Sequence, residues 1–212
     1  MRALPLLAAA LLAGIAASTA RADARPLTAS DRALLARTAT SEERIGEQVA
    51  RRLTGRAVTV RCGPIGTRDP NVLGVTPWWS DGPHDYFLMR PSQCTYLAWF
   101  RRSPARWNPG TCTGSDCRLV GNIAMALAVV AHESYHVLGY RNEAQVECYG
   151  MQSIWFVASK LGASTAEAQS LATLYATRMY PMRRLQTPRY WSSQCRDGGR
   201  YDLRRSLARW PS

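Results

Sequence analysis

Histidine is nearly missing from this chain: His84, His132 and His136 are the only three in 212 residues. Lysine is scarcer still. It supplies one of 27 basic side chains, so the formal charge of +12 rests almost wholly on arginine. The arginines scatter as short pairs, Arg51-Arg52, Arg101-Arg102, Arg183-Arg184 and Arg204-Arg205. Scatter argues against a dedicated nucleic-acid stripe and leaves solvated surface charge, with nonspecific association with anionic surfaces, as the expectation. No apolar run after the N-terminal segment reaches the roughly 20 residues a membrane span needs without a charge or several polar groups, so no later anchor is expected. No internal repeat or low-complexity tract follows that segment.

The N-terminal segment itself, MRALPLLAAALLAGIAASTARA, has one early positive charge, then an apolar run of about a dozen residues, then small residues. This is the pattern of a secretory signal peptide over residues 1–22, cut after Ala22 or, alternatively, after Ala20. Losing Arg2 and Arg21 with it lowers the charge to +10. One domain, 23–212, is expected, secreted or periplasmic. All six cysteines lie in it, where an oxidising compartment favours disulfides. Six cysteines allow 15 pairings. The stretch TCTGSDC favours a Cys112–Cys117 bond across its Gly-Ser loop, and the lack of a nearby CxxC partner argues against metal binding there.

Residues 30–53 read as two short helices or one broken one, with Thr40 and Glu43 as a capping box. Strand patterns follow at 57–62, near 72–75 and at 84–90, then a short helix from Ser92 to about Phe100 and a Pro- and Gly-rich loop over 103–118. Three helices come next: one from an N-cap at Asn122 to Leu138, one from Asn142 to about Leu161, and one capped by Ser164 and Glu167 that runs to Met179, before Pro181. The fold class is α+β, a small antiparallel sheet packed against a helical half.

The informative stretch is HESYHVLGYRNEAQVE, residues 132–147. His132 and His136 are four apart on a predicted helix, so both imidazoles project from one face toward a common point. Glu133 lies beside them without being placed as a ligand. This is the HExxH pattern, in which two histidines hold zinc and the glutamate acts as general base. A catalytic zinc takes three protein ligands and keeps one position open. On a straight helix Glu143 would lie about 10 Å beyond His136, so the chain has to turn, and Gly139 is where it can. An αα-hairpin then puts Glu143 in the first turn of the next helix, facing the histidines. Glu147, one turn later, is placed to accept from the far nitrogen of a histidine and is the alternative third ligand. The bland reading of the two histidines is a pair packed in the core. That reading leaves several ionisable groups buried together without a cation.

The segment Asn142-Glu143-Ala144-Gln145-Val146-Glu147 resembles the NExxxD segment of thermolysin-like gluzincins, with glutamate in place of the aspartate. The resemblance implies Glu143 as third zinc ligand and Glu147 as the acid that orients a histidine. The connection from His136, with Gly139 three residues on, is shorter than in those enzymes and more similar to metzincins, whose third histidine position holds Asn142 here. HExxH, the following EAxxE and the late CRDGG also look like small secreted bacterial proteins carrying these three elements. The zincin-like resemblance implies a zinc metallopeptidase acting on a peptide or protein substrate. An oxyanion-stabilising donor would come from Tyr190, Tyr201, Arg196 or Arg200, of which Tyr190 is favoured. His84 reads as structural, and Trp78-Trp79 as core packing or a substrate contact. The rival expectation is a disulfide-stabilised basic binding protein that docks on anionic polymers, with zinc structural or absent.

Overall fold

Why the chain folds around one helix is visible in its burial pattern. The computed structural model describes residues 27–79, 82–204 and 206–211; the expected signal peptide lies outside the described residues. Helices α1 (Ala29–Ala36) and α2 (Ser41–Thr54) both open on capping boxes, Thr28 with Asp31 and Thr40 with Glu43. Glu43 is fully buried and accepts from Arg37, from Thr40 N (2.8 Å) and from Cys62 N (2.7 Å). One carboxylate therefore ties the α1–α2 link and the start of α2 to strand β1 (Thr59–Cys62).

Strand β3 (Tyr86–Met89) is the middle of a three-stranded sheet, with β1 on one side and β2 (Gly74–Val75) on the other. Its side chains alternate with period two. Phe87 and Met89 enter the main core, whereas Tyr86 and Leu88 pack with Ile65, Leu34 and Leu35. The sheet is mixed, not antiparallel as the sequence suggested: β1 pairs with β3 in parallel, Thr59 opposite Tyr86, and β2 runs antiparallel to β3 at the edge. A parallel neighbour needs a crossover of a dozen or more residues, and the long Gly- and Pro-rich stretch 63–85 supplies it.

Helix α3 (Pro91–Arg102) is tied to β1 by the Cys62–Cys94 disulfide. Helix α4 (Gly114–Val137) is the axis of the fold. By length and composition it could cross a membrane, a possibility the sequence reading had set aside. In this fold it is a core helix, packed against α2, α3 and α5 (Glu143–Lys160), with residues 126–137 all buried. It also starts eight residues before the expected cap at Asn122, because the Cys112–Cys117 disulfide pins its first turn within the expected loop. Asn122 turns its amide to Tyr96 Oη instead (3.2 Å).

Helix α6 (Thr165–Leu174) opens on the Ser164–Glu167 capping box. The helical path does not stop at Pro181. A π-turn over Tyr175–Met179, closed by Tyr180 N–H donating to Tyr175 O, leads into α7 (Tyr180–Gln186) with Pro181 in its first turn, where a missing N–H costs little. The C-terminal tail then returns to α5. Gln152 Nε2 donates to Tyr201 O (2.7 Å), Leu203 N donates to Gln152 Oε1 (2.8 Å), and Cys195 bonds to Cys148. Three disulfides fit an oxidising, extracellular or periplasmic environment.

The Cys148–Cys195 bond closes a separation of 47 residues, for which chain-entropy reasoning gives about 4 kcal/mol. The double substitution Cys148→Ala and Cys195→Ala should lower stability by roughly that amount in urea unfolding. A loss under about 1 kcal/mol would show that the Gln152 contacts alone hold the tail.

Candidate metal centre

Helix α4 ends at Val137, and Gly139 takes φ +100°, a left-handed conformation that suits glycine. Gly139 N bonds to His136 O (2.9 Å) and Tyr140 N to Tyr135 O (3.2 Å), the Schellman pattern of a helix stop. Asn142 caps α5 by accepting from Gln145 N (2.9 Å). Helix α5 then packs back on α4 unusually closely. A Cβ at Gly150 would lie 3.1 Å from Ala128 O and 3.2 Å from His132 N, both backbone atoms that cannot step aside. Glycine at 150 therefore sets the separation at which the first turns of α5 meet the histidines.

Glu143 Oε2 stands 3.1 Å from His132 Nε2 and 3.3 Å from His136 Nε2, and the two nitrogens are 3.0 Å apart. The outer ring nitrogens decide what these contacts are. His136 Nδ1 is 2.7 Å from Tyr140 O, a carbonyl that only accepts, so this nitrogen carries the hydrogen. His132 Nδ1 is 2.9 Å from Glu147 Oε2 and donates to that carboxylate. In the neutral rings both Nε2 atoms then present lone pairs to each other and to a carboxylate oxygen. Three acceptors at such spacing repel, and either a proton on one ring or a cation between them relieves this.

His132, His136 and Glu143 form a group that could hold a metal ion. Donors sharing a tetrahedral ion at about 2.0–2.1 Å stand about 3.3–3.4 Å apart, close to the three spacings here. The charge count agrees. Glu133, Glu143 and Glu147 are three carboxylates beside one partly buried guanidinium, Arg183, which leaves two negative charges for a divalent ion to balance. Without an ion, burial opposes charging His132, but hydrogen bonds to Glu143 and Glu147 outweigh it and raise its pKa to about 10. Glu143 is held low against its own burial by the two histidines. Burial also opposes ionising Glu147, yet the charge of Arg183 and the bond to His132 bring it to about 2.

Glu133 is buried and not among the three donors. Thr76 Oγ1 donates to its Oε2 (2.8 Å) and to its own backbone carbonyl (3.2 Å). A Cβ at Gly74 would fall 2.6 Å from Glu133 Oε1, so edge strand β2 lies against the carboxylate only because residue 74 is glycine. Burial pushes the Glu133 carboxyl above its ordinary value. Tyr190 closes another side, its ring 5.7 Å from that of His132, with its hydroxyl accepting from Arg189 Nη2 (3.1 Å). Tyr201, Arg196 and Arg200 are not brought here: Tyr201 packs on a separate cluster of Tyr135, Val146 and Tyr149, and both arginines are exposed. His84 is buried beside Trp79 and Tyr86, and Trp78 lies under Arg141, with none of them lining the cavity.

Residues without a motif complete the site. Tyr175 Oη donates to Glu147 Oε1 (2.5 Å), and Arg183 Nε donates to the same oxygen (2.9 Å). In a plain α-helix residues eight apart diverge by about 80°, whereas one residue absorbed in a π-turn brings them to within about 20° of one face. The π-turn is what lets both reach Glu147. Sequence periodicity carries no signal for it. Gly74 and Gly150 did leave one, since a glycine inside a strand or helix pattern marks close backbone approach.

Glu147→Gln keeps the shape but removes the charge that orders His132 and Arg183. Retention of a bound divalent ion against a chelator should fall about ten- to a hundred-fold, the usual cost of disturbing a ligand's own partner. Unchanged retention would mean that Glu147 serves packing alone.

No protein-family model matches the chain, and neither a curated protein nor a solved structure does.

Proposed function

We propose that the protein is an exported zinc-dependent peptidase, with His132, His136 and Glu143 as ligands. The observation that supports this best is an acid that stays outside the donor group. Glu133 is buried beside a three-donor group without joining it, and Thr76 bonded to Oε2 leaves Oε1 to move a proton. Two imidazoles and one carboxylate are a known zinc set for catalysis, and zinc at such a site polarises a carbonyl and lowers the pKa of water to about 7. Glu133 Oε1 takes the proton from the attacking water and returns it to the leaving nitrogen. Tyr190 Oη, which accepts from Arg189, keeps its own hydrogen to donate to the carbonyl oxygen as negative charge develops there. Strand β2, at the sheet edge and lining the cavity through Gly74, offers its backbone to an extended peptide. Peptide is favoured as substrate because the HExxH-bearing segment resembles that of zinc peptidases.

The cavity beside the donor group, lined by His132, Glu133, Glu147 and Tyr190, is only about 20 Å³, room for a water. A peptide enters once residues 71–74 and the turn Pro188–Tyr190 part, which breaks the Arg189–Asp69 ion pair (3.6 Å, both side chains about 40% exposed). The same small volume favours a second reading, a disulfide-stabilised basic binding protein whose ion is structural.

One substitution separates them. Glu133→Gln should retain metal and lose at least about a hundred-fold in turnover, read on a mixed peptide library by mass spectrometry alongside metal content per chain. Retained turnover removes Glu133 as base. Absence of turnover in the unaltered, metal-loaded protein favours the structural ion.

A further inference from the structure

Two of the four arginine pairs that are scattered in sequence, Arg51-Arg52 and Arg101-Arg102, are gathered by the fold. On α3, Trp99 is 37% exposed and stands at the wall of a cleft of about 330 Å³ lined by Arg102, Ser103, Arg106, Trp107 and Leu119. Trp107 is buried, lies nearly parallel to Trp99 (14° between planes, centroids 6.4 Å apart), and is covered by the Arg106 guanidinium at 4.9 Å. Trp99 is thus the ring available to a ligand, with its orientation fixed by Trp107 on one side and Tyr96 edge-on at 5.7 Å. Arg102 and Arg106 are exposed around it.

A second cleft, about 560 Å³, is lined by Arg51, Arg52, Lys160 and Leu161. The two are neighbours. Arg101, next to Arg102 on α3, donates to Leu161 O (3.3 Å). The surface therefore offers one aromatic platform and a line of cations over two adjoining clefts. Glu42 is the acidic group close enough to Arg102 to feel its charge.

We infer that this α3 face binds a carboxylate-bearing glycan, a sugar ring packing on Trp99 while Arg102 and Arg106, then Arg51, Arg52 and Lys160, take successive carboxylates. A pyranose presents an apolar C–H face that matches an exposed indole. Guanidinium forks pair with carboxylates in two parallel bonds, which a lysine-rich surface would not do. Single-stranded nucleic acid uses a series of rings under successive bases, and here Trp107 is already covered on both faces. The site is separate from the ion site and holds under either reading of it.

The test is calorimetric titration of the metal-loaded and chelator-treated full chain with tetragalacturonate, a neutral galactose tetramer and an eight-residue oligo(dT). We expect saturable binding of tetragalacturonate that weakens with salt and is the same with or without metal. Trp99→Ala should weaken it at least ten-fold, and Trp99→Phe should restore most of the loss. Arg102→Ala with Arg106→Ala should weaken it at least ten-fold and flatten the salt dependence. Arg102 and Arg106 are exposed, so the thermal midpoint of their double variant should not move, and Trp99→Phe, which keeps a ring against Trp107 and Tyr96, separates loss of ligand from loss of packing in Trp99→Ala. Equal binding of the neutral tetramer, tighter binding of oligo(dT), no binding of tetragalacturonate, or an unchanged affinity in Trp99→Ala would each overturn the inference.

Discussion

When both rings are neutral, two imidazole nitrogens and a carboxylate oxygen, each with a lone pair, face one another at 3.0–3.3 Å inside the protein. In water such a set would separate. Here it is held together by groups that act on the far side of each ligand. Tyr140 O fixes His136, Glu147 fixes His132, and Asn142 begins the helix turn that carries Glu143. Behind Glu147 stand Tyr175 and Arg183. The repulsion is therefore stored by two helices and a π-turn, and a cation relieves it. Close approach of α4 and α5 is the precondition, and that depends on the absence of a side chain at Gly150.

What could be read from the chain was local. The four-residue spacing of His132 and His136, the stop at Gly139 and the cap at Asn142 all depend on neighbours within one or two helical turns, so helix geometry alone brings Glu143 and Glu147 back to the histidines. The Cys112–Cys117 bond was legible for the same reason. The pairings Cys62–Cys94 and Cys148–Cys195 span 32 and 47 residues and left no local trace. Thr76 reaches Glu133 across 57 residues, and nothing in its own neighbourhood announces that. The sheet was misread because parallel pairing is decided by a crossover whose path the sequence does not specify. Helix ends at Asn122 and Pro181 were misread because a good capping residue and a proline are permissive signals. Asn122 found a tyrosine, and Pro181 found the first turn of a new helix.

The arginine distribution shows the same limit from the other direction. Pairs 50 residues apart look dispersed along the chain, but Arg51-Arg52 ends α2 and Arg101-Arg102 ends α3, and these two helices pack against each other. Basic residues favour helix C-termini, where they meet the negative end of the backbone dipole. Two helices brought side by side thus concentrate charge without any run of it in sequence.

The small cavity and the spare acid pull in opposite directions, and the cost of burial decides which weighs more. A structural zinc site is four-coordinate, its charge and geometry satisfied by four protein ligands. Among the described residues the ion-holding group offers three. Glu133 is the obvious fourth, yet it is turned to Thr76 and kept from closing the set, at the expense of burying a carboxyl whose ionised form is disfavoured there. A site built only for stability gains little from that arrangement, because an ionisable group buried without ligating the ion costs free energy that an apolar side chain would not. A buried carboxyl with a shifted affinity for protons, next to three side chains that could hold an ion, suits the proton transfer proposed above. The small volume then describes how the site rests, since what covers it is a short edge strand and a three-residue turn joined by a solvent-exposed ion pair, a contact typically worth under about 1 kcal/mol.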